Sequence, residues 1–140
     1  MSATVAKLYE TKTLGSAIDA TAPDGTAVRL LLSLAGGSMA HFELPAGGVS
    51  HAVMHRTVEE IWFVVAGTGS IWRRQGEFES INPLRPGTSL TIPLGTAFQV
   101  RADAGSALAF VAITMPPWPG MHEAVLVQGP WAPTVAAGSA

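Results

Sequence analysis

Glycine and proline recur along the whole chain and divide it into short apolar segments. The 140 residues include 15 glycines and 10 prolines, and pairs such as Gly36-Gly37 and Pro86-Gly87 separate the apolar stretches. Both residue types interrupt helices and favour tight turns, and no segment has a long apolar stripe at the spacing of a helix. The pattern predicts an all-β chain of roughly nine or ten short strands, with almost no helix, in a sandwich or barrel.

The segment at residues 60–66, EIWFVVA, is the strongest predicted strand. Side chains alternate between the two faces of a strand, so Glu60 and Trp62 share one face and Ile61 and Phe63 share the other. Both faces are apolar apart from Glu60. A strand with one face in water would alternate apolar and polar residues. We therefore expect one face to line a barrel and the other to be covered by a second sheet or subunit.

The composition indicates one domain that covers residues 1–140 and buries a real core. Hydrophobic residues make up 48% of the chain and charged residues only 13%, so we expect another subunit to cover part of the apolar surface. Residues 116–140 are rich in proline and tryptophan, and prolines exclude these segments from the interior of a sheet. This C-terminal arm is predicted to pack against the body or across a neighbour, in a homodimer.

Charge and cysteine content exclude several classes of function. The net charge is −2, whereas nucleic-acid binders usually carry a basic face. The chain has no cysteine, which excludes disulfides and thiolate metal sites. No apolar run is long enough to span a membrane, and the first residues lack the apolar segment of a signal peptide. The expectation is a cytoplasmic protein that binds neither nucleic acid nor membrane.

Residues with metal-binding or acid–base capability cluster in one part of the sequence. Three of the four histidines, His41, His51 and His55, fall close together, beside Glu59 and Glu60. Imidazole and carboxylate are the usual protein ligands for zinc, iron, manganese or nickel. Without a metal, His55 and Glu60 could instead form a buried hydrogen-bonded pair. His51 could equally be a surface residue at the mouth of a pocket, and His41 a structural histidine.

The same region resembles the sequence motifs of the cupins. Residues 48–67 are similar to the first cupin motif, G-x5-H-x-H-x(3,4)-E-x6-G, with His55, Glu60 and Gly67 in register. Residues 87–95, which read G-x5-P-x-G, are similar to the opening of the second motif, G-x5-P-x-G-x2-H-x3-N. The resemblance implies a single small cupin domain, that is, a double-stranded β-helix or jelly-roll barrel around one inward-facing pocket.

The chain departs from the cupin motifs at three positions. Val53 stands where the first motif has its first histidine, Phe98 where the second motif has its histidine, and Ala102 where it has asparagine. Of the four metal ligands that the resemblance implies, only His55 and Glu60 remain. Zinc sites normally use three or four protein ligands, so other residues would have to complete the set.

His51, His41 and Gln99 are the candidates to complete a metal site. His51 precedes His55 by four residues, which separates their Cα atoms by ~13 Å in an extended strand unless the strand bulges. His41 lies on the preceding predicted strand and could approach from beside the site. Gln99 could supply an amide oxygen, although strict alternation places it on the face opposite Phe98.

The resemblance implies an enzyme that acts on a small molecule in the barrel. His55 and Glu60 would be the catalytic residues and would hold a divalent metal, with His51 or His41 as further ligands. An oxygenase, an isomerase and a cyclase are all compatible with this prediction. Two alternatives need no metal: acid–base catalysis by His55 and a buried Glu60 with a raised pKa, or ligand binding without reaction. A hydrophobic or aromatic substrate is expected because the predicted pocket residues are Met39, Val53, Trp62, Phe98, Gln99 and Phe110.

Overall fold

The computed structural model describes residues 7–120 and 122–139, and within these ranges it contains eleven strands and no helix. The all-β prediction is confirmed. The described part of the chain accordingly has no apolar helix that could cross a bilayer. The strands are β1 Ala20–Thr21, β2 Ala27–Leu34, β3 Gly37–Leu44, β4 Val53–His55, β5 Glu59–Ala66, β6 Gly69–Gln75, β7 Phe78–Leu84, β8 Ser89–Ile92, β9 Ala97–Ala102, β10 Leu108–Met115 and β11 Ala124–Leu126.

The strands form two antiparallel sheets that enclose one core. The first sheet has the order β1-β2-β3-β10-β5-β8 and the second the order β11-β4-β9-β6-β7. Neighbours in each sheet are often far apart in sequence, as expected for a jelly roll rather than a simple meander. The inward side chains of both sheets form a continuous core that includes Leu44, Val53, Trp62, Val64, Ile71, Leu84, Ile92, Phe98, Val100, Leu108 and Phe110.

Gly67 ends β5 at the position where the first motif requires glycine. Its φ is +75°, a left-handed conformation that glycine adopts without strain. A Cβ at this position would also collide with the backbone of Ala107. Only glycine therefore allows β5 to turn into β6 this close to the start of β10.

The two faces of β5 have different surroundings. Glu60, Trp62 and Val64 are buried and face the interior. On the other face Ile61 and Phe63 remain 43% and 48% exposed, so no second sheet in the described part of the chain covers them. The homodimer that would cover this face stays a prediction. Light scattering that shows a monomer at micromolar concentration would contradict it.

The C-terminal arm packs on the body of its own chain and contributes an edge strand. Strand β11 pairs with β4, a strand that the proline-rich sequence does not predict. Farther along, Val127 and Trp131 pack on the outer face of the second sheet against Trp72. The backbone N–H of Thr134 then donates to the carbonyl of Val49 at 3.0 Å. Among the described residues, the arm thus covers part of the second sheet and leaves Ile61 and Phe63 on the outer face of the first sheet exposed.

Candidate functional site

A cavity of about 430 Å³ lies between the two sheets. This volume falls within the ~300–1,000 Å³ that small-molecule pockets usually have. Its wall is mostly aliphatic and aromatic, with few polar side chains. The apolar wall includes Val28, Leu30, Leu31, Met39, Phe42, Val53, Trp62, Phe98, Phe110 and Trp118, and the polar groups are Asp24, Ser33, Ser38, His55, Glu60 and Thr114.

His55 and Glu60 meet in the wall of this cavity. His55 is the last residue of β4 and points inward like Val53, while Glu60 is the first inward residue of β5. Only 7% of His55 and 5% of Glu60 is exposed. The His55 Nδ1 atom lies 3.5 Å from Glu60 Oε1, but the two groups do not meet hydrogen-bond geometry.

Burial keeps both groups uncharged at neutral pH. Burial raises the pKa of Glu60 from 4.5 to about 8; the nearby indole N–H of Trp62 opposes this rise, and the carboxyl of Asp24 adds to it. Burial also lowers the pKa of His55 from 6.5 to about 4, although the carboxylate of Glu123 acts in the opposite direction. In both cases removal from water disfavours the charged form. The cavity therefore holds a carboxylic acid next to a neutral imidazole.

Aromatic rings surround this pair and fix its position. Trp62 stacks on Phe110 with ring centroids 4.0 Å apart. Phe98 and Trp62 pack edge to face, with ring centroids 5.5 Å apart. His55 has edge contacts with Phe98 at 5.3 Å and with Trp118 at 5.2 Å. The rings exclude water from the imidazole and present flat apolar surfaces to the cavity.

Trp118 is a cavity residue that the sequence analysis missed. It belongs to the C-terminal arm, and its backbone N–H donates to the hydroxyl of Ser38 at 2.9 Å. Ser38 is in turn 2.5 Å from the hydroxyl of Thr114 across the neighbouring strand. This anchor brings the arm over the cavity. Nothing in the local sequence around Trp118 indicates which part of the barrel it covers.

Asp24 is a second carboxyl group in the cavity wall that sequence reasoning missed. It sits in the turn before β2, and its Oδ1 accepts hydrogen bonds from the backbone N–H of Thr26 at 3.0 Å and from the Thr26 hydroxyl at 2.7 Å. Burial raises its pKa in spite of these bonds. Asp-Gly pairs are common in exposed turns, so the sequence signal was that of a turn and not of a buried acid.

His41 and His51 do not join His55 and Glu60. His41 lies on β3 between Ala40 and Phe42, which line the cavity, so its side chain points to the other face of the sheet. The Nε2 atom of His51 forms a hydrogen bond of 2.7 Å with the backbone carbonyl of Val135. Neither ring lines the cavity. The prediction that one of them completes the ligand set is not supported by this arrangement.

Gln99 also lies outside the cavity, contrary to its prediction as a pocket residue. It is fully buried under the C-terminal arm on the face opposite Phe98, the side that strict alternation indicates. Its amide donates to the carbonyls of Ser50 and Trp131, both at 2.8 Å, and its oxygen accepts the N–H of Trp131 at 3.2 Å. Of the other five predicted pocket residues, Val53, Trp62, Phe98 and Phe110 lie in the cavity wall, and Met39 borders the cavity although its side chain alternates to the same face of β3 as His41.

The arrangement of the strands is similar to that of known double-stranded β-helix proteins. One solved structure, a Klebsiella pneumoniae protein with a double-stranded β-helix domain, matches with a TM-score of 0.62 at 14% identity, over 74% of this chain and 85% of that one. The chain has the double-stranded β-helix fold of the cupins. The fold prediction from the two motifs is therefore confirmed.

Two further cupin-fold neighbours agree. A predicted oxalate decarboxylase from Thermotoga maritima has a TM-score of 0.62 at 16% identity, over 75% of this chain and 99% of that one. KdgF from a Halomonas species has a TM-score of 0.56 at 18% identity, over 66% and 81% of the two chains. No protein-family model and no curated protein sequence matches the chain. At these identities the likeness establishes the fold alone.

The metal that the cupin motifs imply does not fit the donor atoms of this cavity. Among the described residues, no three histidine, aspartate or glutamate side chains are arranged to hold a metal ion. His55 and Glu60 occupy two of the four motif positions, and Val53 and Phe98 fill the other two with apolar core side chains. Transition-metal sites in proteins normally need at least three such ligands. The chemistry of this site is therefore derived from its own side chains.

Proposed function

We propose that this chain binds a small, mostly apolar and aromatic molecule in the cupin cavity and catalyses a proton transfer on it. The observation that carries the proposal is the pair of His55 and Glu60, buried 3.5 Å apart in the wall of a cavity of about 430 Å³. A cavity of this size with few converging polar groups is the usual form of a small-molecule site. The cupin fold of the neighbours supports a small-molecule function in general terms.

Glu60 acts as the acid and His55 as the base in this proposal. With a pKa of about 8, Glu60 holds a proton at neutral pH that it can donate, and His55, with a pKa of about 4, has a free nitrogen lone pair. Environments that move two pKa values apart in this way commonly assign the acid and base roles of an enzyme. No charged group needs to lose its hydration shell when the substrate enters.

The proton transfer is balanced within the pair. Glu60 gives its proton to a carbonyl oxygen of the substrate while a ring nitrogen of His55 takes a proton from the adjacent carbon. The electrons of that C–H bond form the double bond of the enol. The pair is left as carboxylate and imidazolium at ion-pair distance, and transfer of one proton from His55 to Glu60 restores the starting state. The reaction class is tautomerisation, which follows the alternative of metal-free acid–base catalysis by Glu60 and His55.

The cavity wall favours an uncharged ligand. None of the described residues that line it is a lysine or an arginine, so an anion would find no cation to offset its desolvation. The Thermotoga neighbour is named a predicted oxalate decarboxylase, but oxalate carries two negative charges and suits this wall poorly. The aliphatic and aromatic side chains of the wall instead suit an apolar, neutral ring.

The exchange of carbon-bound protons tests this proposal with 2-indanone as the probe. This compact ketone, whose carbonyl lies in a five-membered ring fused to benzene, exchanges the protons beside its carbonyl for deuterium in heavy water, which proton NMR follows directly. We expect the protein to accelerate the exchange and Glu60→Gln to slow the catalysed exchange by about 100-fold or more, because a positioned acid or base contributes about 10²–10⁴-fold. Glu59→Gln, at the exposed neighbouring position, is the matched control and keeps full activity.

Binding of the probe is measured alongside, by changes in the protein's own NMR spectrum. Binding with exchange only at the buffer rate would contradict catalysis and leave the chain as a metal-free ligand-binding cupin. Equal activity of the Glu60→Gln and Glu59→Gln variants would contradict the role of Glu60.

A further inference from the structure

The side chain of Glu123, in the C-terminal arm, binds the turn that connects β4 to β5. It is 3% exposed and does not line the cavity. Its Oε2 atom accepts hydrogen bonds from the backbone N–H groups of Arg56 at 2.6 Å and Thr57 at 2.8 Å, and its Oε1 atom accepts one from the Thr57 hydroxyl. Because this turn directly follows His55 and leads to Glu60, one carboxylate fixes the connection between the two groups of the acid–base pair.

Backbone contacts from the same part of the arm add to this attachment. The Arg56 N–H also donates to the carbonyl of Glu123 at 3.0 Å, and Arg56 Nε donates to the carbonyl of His122 at 2.7 Å. The next residue of the arm, Ala124, is the partner of His55 in the ladder between β11 and β4. Hydrogen bonds to a carboxylate are roughly twice as strong as those between neutral groups. The position of His55 is therefore set by the arm as well as by its own strand.

Glu123 also brings a fixed negative charge close to His55. Burial raises the pKa of Glu123, but the hydrogen bonds from the turn and the charge of His55 outweigh burial and hold that pKa below its ordinary value. Glu123 is therefore a carboxylate at neutral pH. None of the described lysine or arginine side chains forms an ion pair with it. A nearby negative charge favours a protonated imidazole, so this carboxylate acts on His55 from outside the cavity.

We propose that Glu123 is a positioning residue for the acid–base pair, because its carboxylate fixes the turn between His55 and Glu60 and stabilises the imidazolium that forms when His55 takes a proton. This inference rests on the proposed function, since it concerns the same proton transfer. Glu123 does not line the cavity, so it acts through His55 and not on the substrate. A charge that is already in place costs no reorganisation when the imidazolium forms.

The consequence for the kinetics is a loss of rate without a loss of affinity. Without the carboxylate, fewer bonds hold the turn and the imidazolium loses its stabilising charge, so proton transfer slows. A small misplacement of a reacting group can lower a rate by about 100-fold. The cavity wall itself is unchanged, because Glu123 is not part of it. The loss of an interaction that matters only in the transition state lowers kcat and leaves KM unchanged.

Deuterium exchange into 2-indanone over a range of concentrations gives kcat and KM, with rates expressed per folded protein as measured by NMR. We expect Glu123→Gln, which keeps the shape of the side chain and removes its charge, to lower kcat by about tenfold or more and to change KM by less than about twofold. Gln99→Leu, which removes other buried hydrogen bonds to the arm, is the control and keeps kcat per folded protein. The control separates positioning of the pair from a general loss of stability.

A second variant tests the same carboxylate with a smaller change. Thr57→Val removes one donor to Glu123, and we expect it to lower kcat by about threefold or more with KM unchanged. Its matched control is Thr68→Val, which loses a hydroxyl bond to Asp103 in an exposed turn and keeps full activity.

The outcomes separate this inference from the proposed function. A kcat of Glu123→Gln equal to that of the wild type, or a change confined to KM, would overturn the inference and leave the acid–base proposal standing. If Glu123→Gln does not fold, Thr57→Val decides, because a kcat equal to that of Thr68→Val would overturn the inference. Exchange at only the buffer rate with the wild-type protein would contradict the proposed function and the inference together.

Discussion

The His55 Nδ1 atom lies 3.5 Å from Glu60 Oε1, yet burial keeps these groups in their uncharged forms at neutral pH. An exposed pair at this distance would be an ion pair. Here removal from water outweighs their mutual attraction, as is common for buried ion pairs. The site therefore offers an acid and a base in the states that proton transfer needs.

The pair gives the protein a characteristic dependence of stability on pH. Between pH 4.5 and about 8 the folded state holds the Glu60 proton that the unfolded state has lost, so the free energy of unfolding falls as pH rises. Between about pH 4 and 6.5 the unfolded state holds a proton on His55 that the folded state lacks, so the free energy of unfolding rises with pH. The two effects oppose each other up to pH 6.5, and above it only that of Glu60 remains.

We expect the contribution of Glu60 to the stability of the wild-type protein to fall by roughly 1.5 kcal/mol between pH 6.5 and 8, because the slope is about 1.4 kcal/mol per pH unit well below its pKa and half of that at its pKa. Glu60→Gln abolishes this loss, whereas the control Glu59→Gln keeps it. Urea denaturation at a series of pH values measures both. If the difference between wild type and Glu60→Gln does not change with pH over this interval, the folded-state pKa of Glu60 is not raised.

Trp118→Ala should let water reach His55. Trp118 packs against the imidazole ring, with ring centroids 5.2 Å apart. Burial is the largest cause of the lowered pKa of His55. The variant is expected to raise that pKa from about 4 toward its ordinary 6.5. NMR titration of the His55 ring, assigned by its loss in His55→Gln, measures the change, and Trp131→Ala, on the outer face of the second sheet, is the control. An unchanged pKa in Trp118→Ala would show that the C-terminal arm does not shield the site.

Gln99→Leu should destabilise the protein without affecting the cavity. The substitution removes the partners of the Ser50 carbonyl and of both backbone groups of Trp131, which we expect to cost roughly 2–4 kcal/mol. The exposed Gln75→Leu serves as control, with an expected change within about 0.5 kcal/mol. Urea denaturation and 2-indanone binding are measured together. Unchanged stability with lost binding would place Gln99 in the cavity after all.

The fold could be predicted because its determinants are local. Turn residues at short intervals and the two-residue period of segments such as residues 60–66 depend only on neighbouring residues. The folded chain keeps both features, because β5 shows alternating burial over the same residues. The conformation at Gly67 shows why the motif spacing is informative, since backbone contacts at that turn admit no side chain. The direction of Gln99 followed from the same alternation.

The site could be predicted only in part because the rest of it depends on long-range packing. His55 and Glu60 come from strands that are consecutive in sequence and share a motif, but Trp118 reaches the cavity through a contact with Ser38, eighty residues away in sequence. The orientation of His41 required the register of its strand relative to the core, and a one-residue change of register reverses every side chain. Asp24 looked like an ordinary turn residue because the segments packed on its turn, around His51 and Val135, come from elsewhere in the chain.

Restoring the two motif histidines should create the metal site that this cavity lacks. Val53 and Phe98 are direct partners across β4 and β9, on the inward face that also carries His55. Together with His55 and Glu60, the double variant Val53→His/Phe98→His would supply four donors, and we expect it to hold about one equivalent of zinc. Elemental mass spectrometry of untagged protein should find far less than one equivalent in the wild type.

The same measurement includes its own controls. Adding His55→Ala to the double variant should reduce its zinc content, because one donor is lost. Near-stoichiometric metal in the wild-type protein, lost in His55→Ala alone, would contradict the conclusion that two donors are too few.

The titration of the Glu60 carboxyl tests the central claim most directly. Carbon-13 NMR follows the side-chain carboxyl of Glu60 against pH in the intact protein, with its resonance assigned by its loss in Glu60→Gln. We predict a midpoint near 8, the pKa that burial in the cavity wall produces, so that the group is a carboxylic acid at neutral pH. A midpoint at or below 4.5 would mean that Glu60 is a carboxylate at neutral pH, and would contradict its role as the acid.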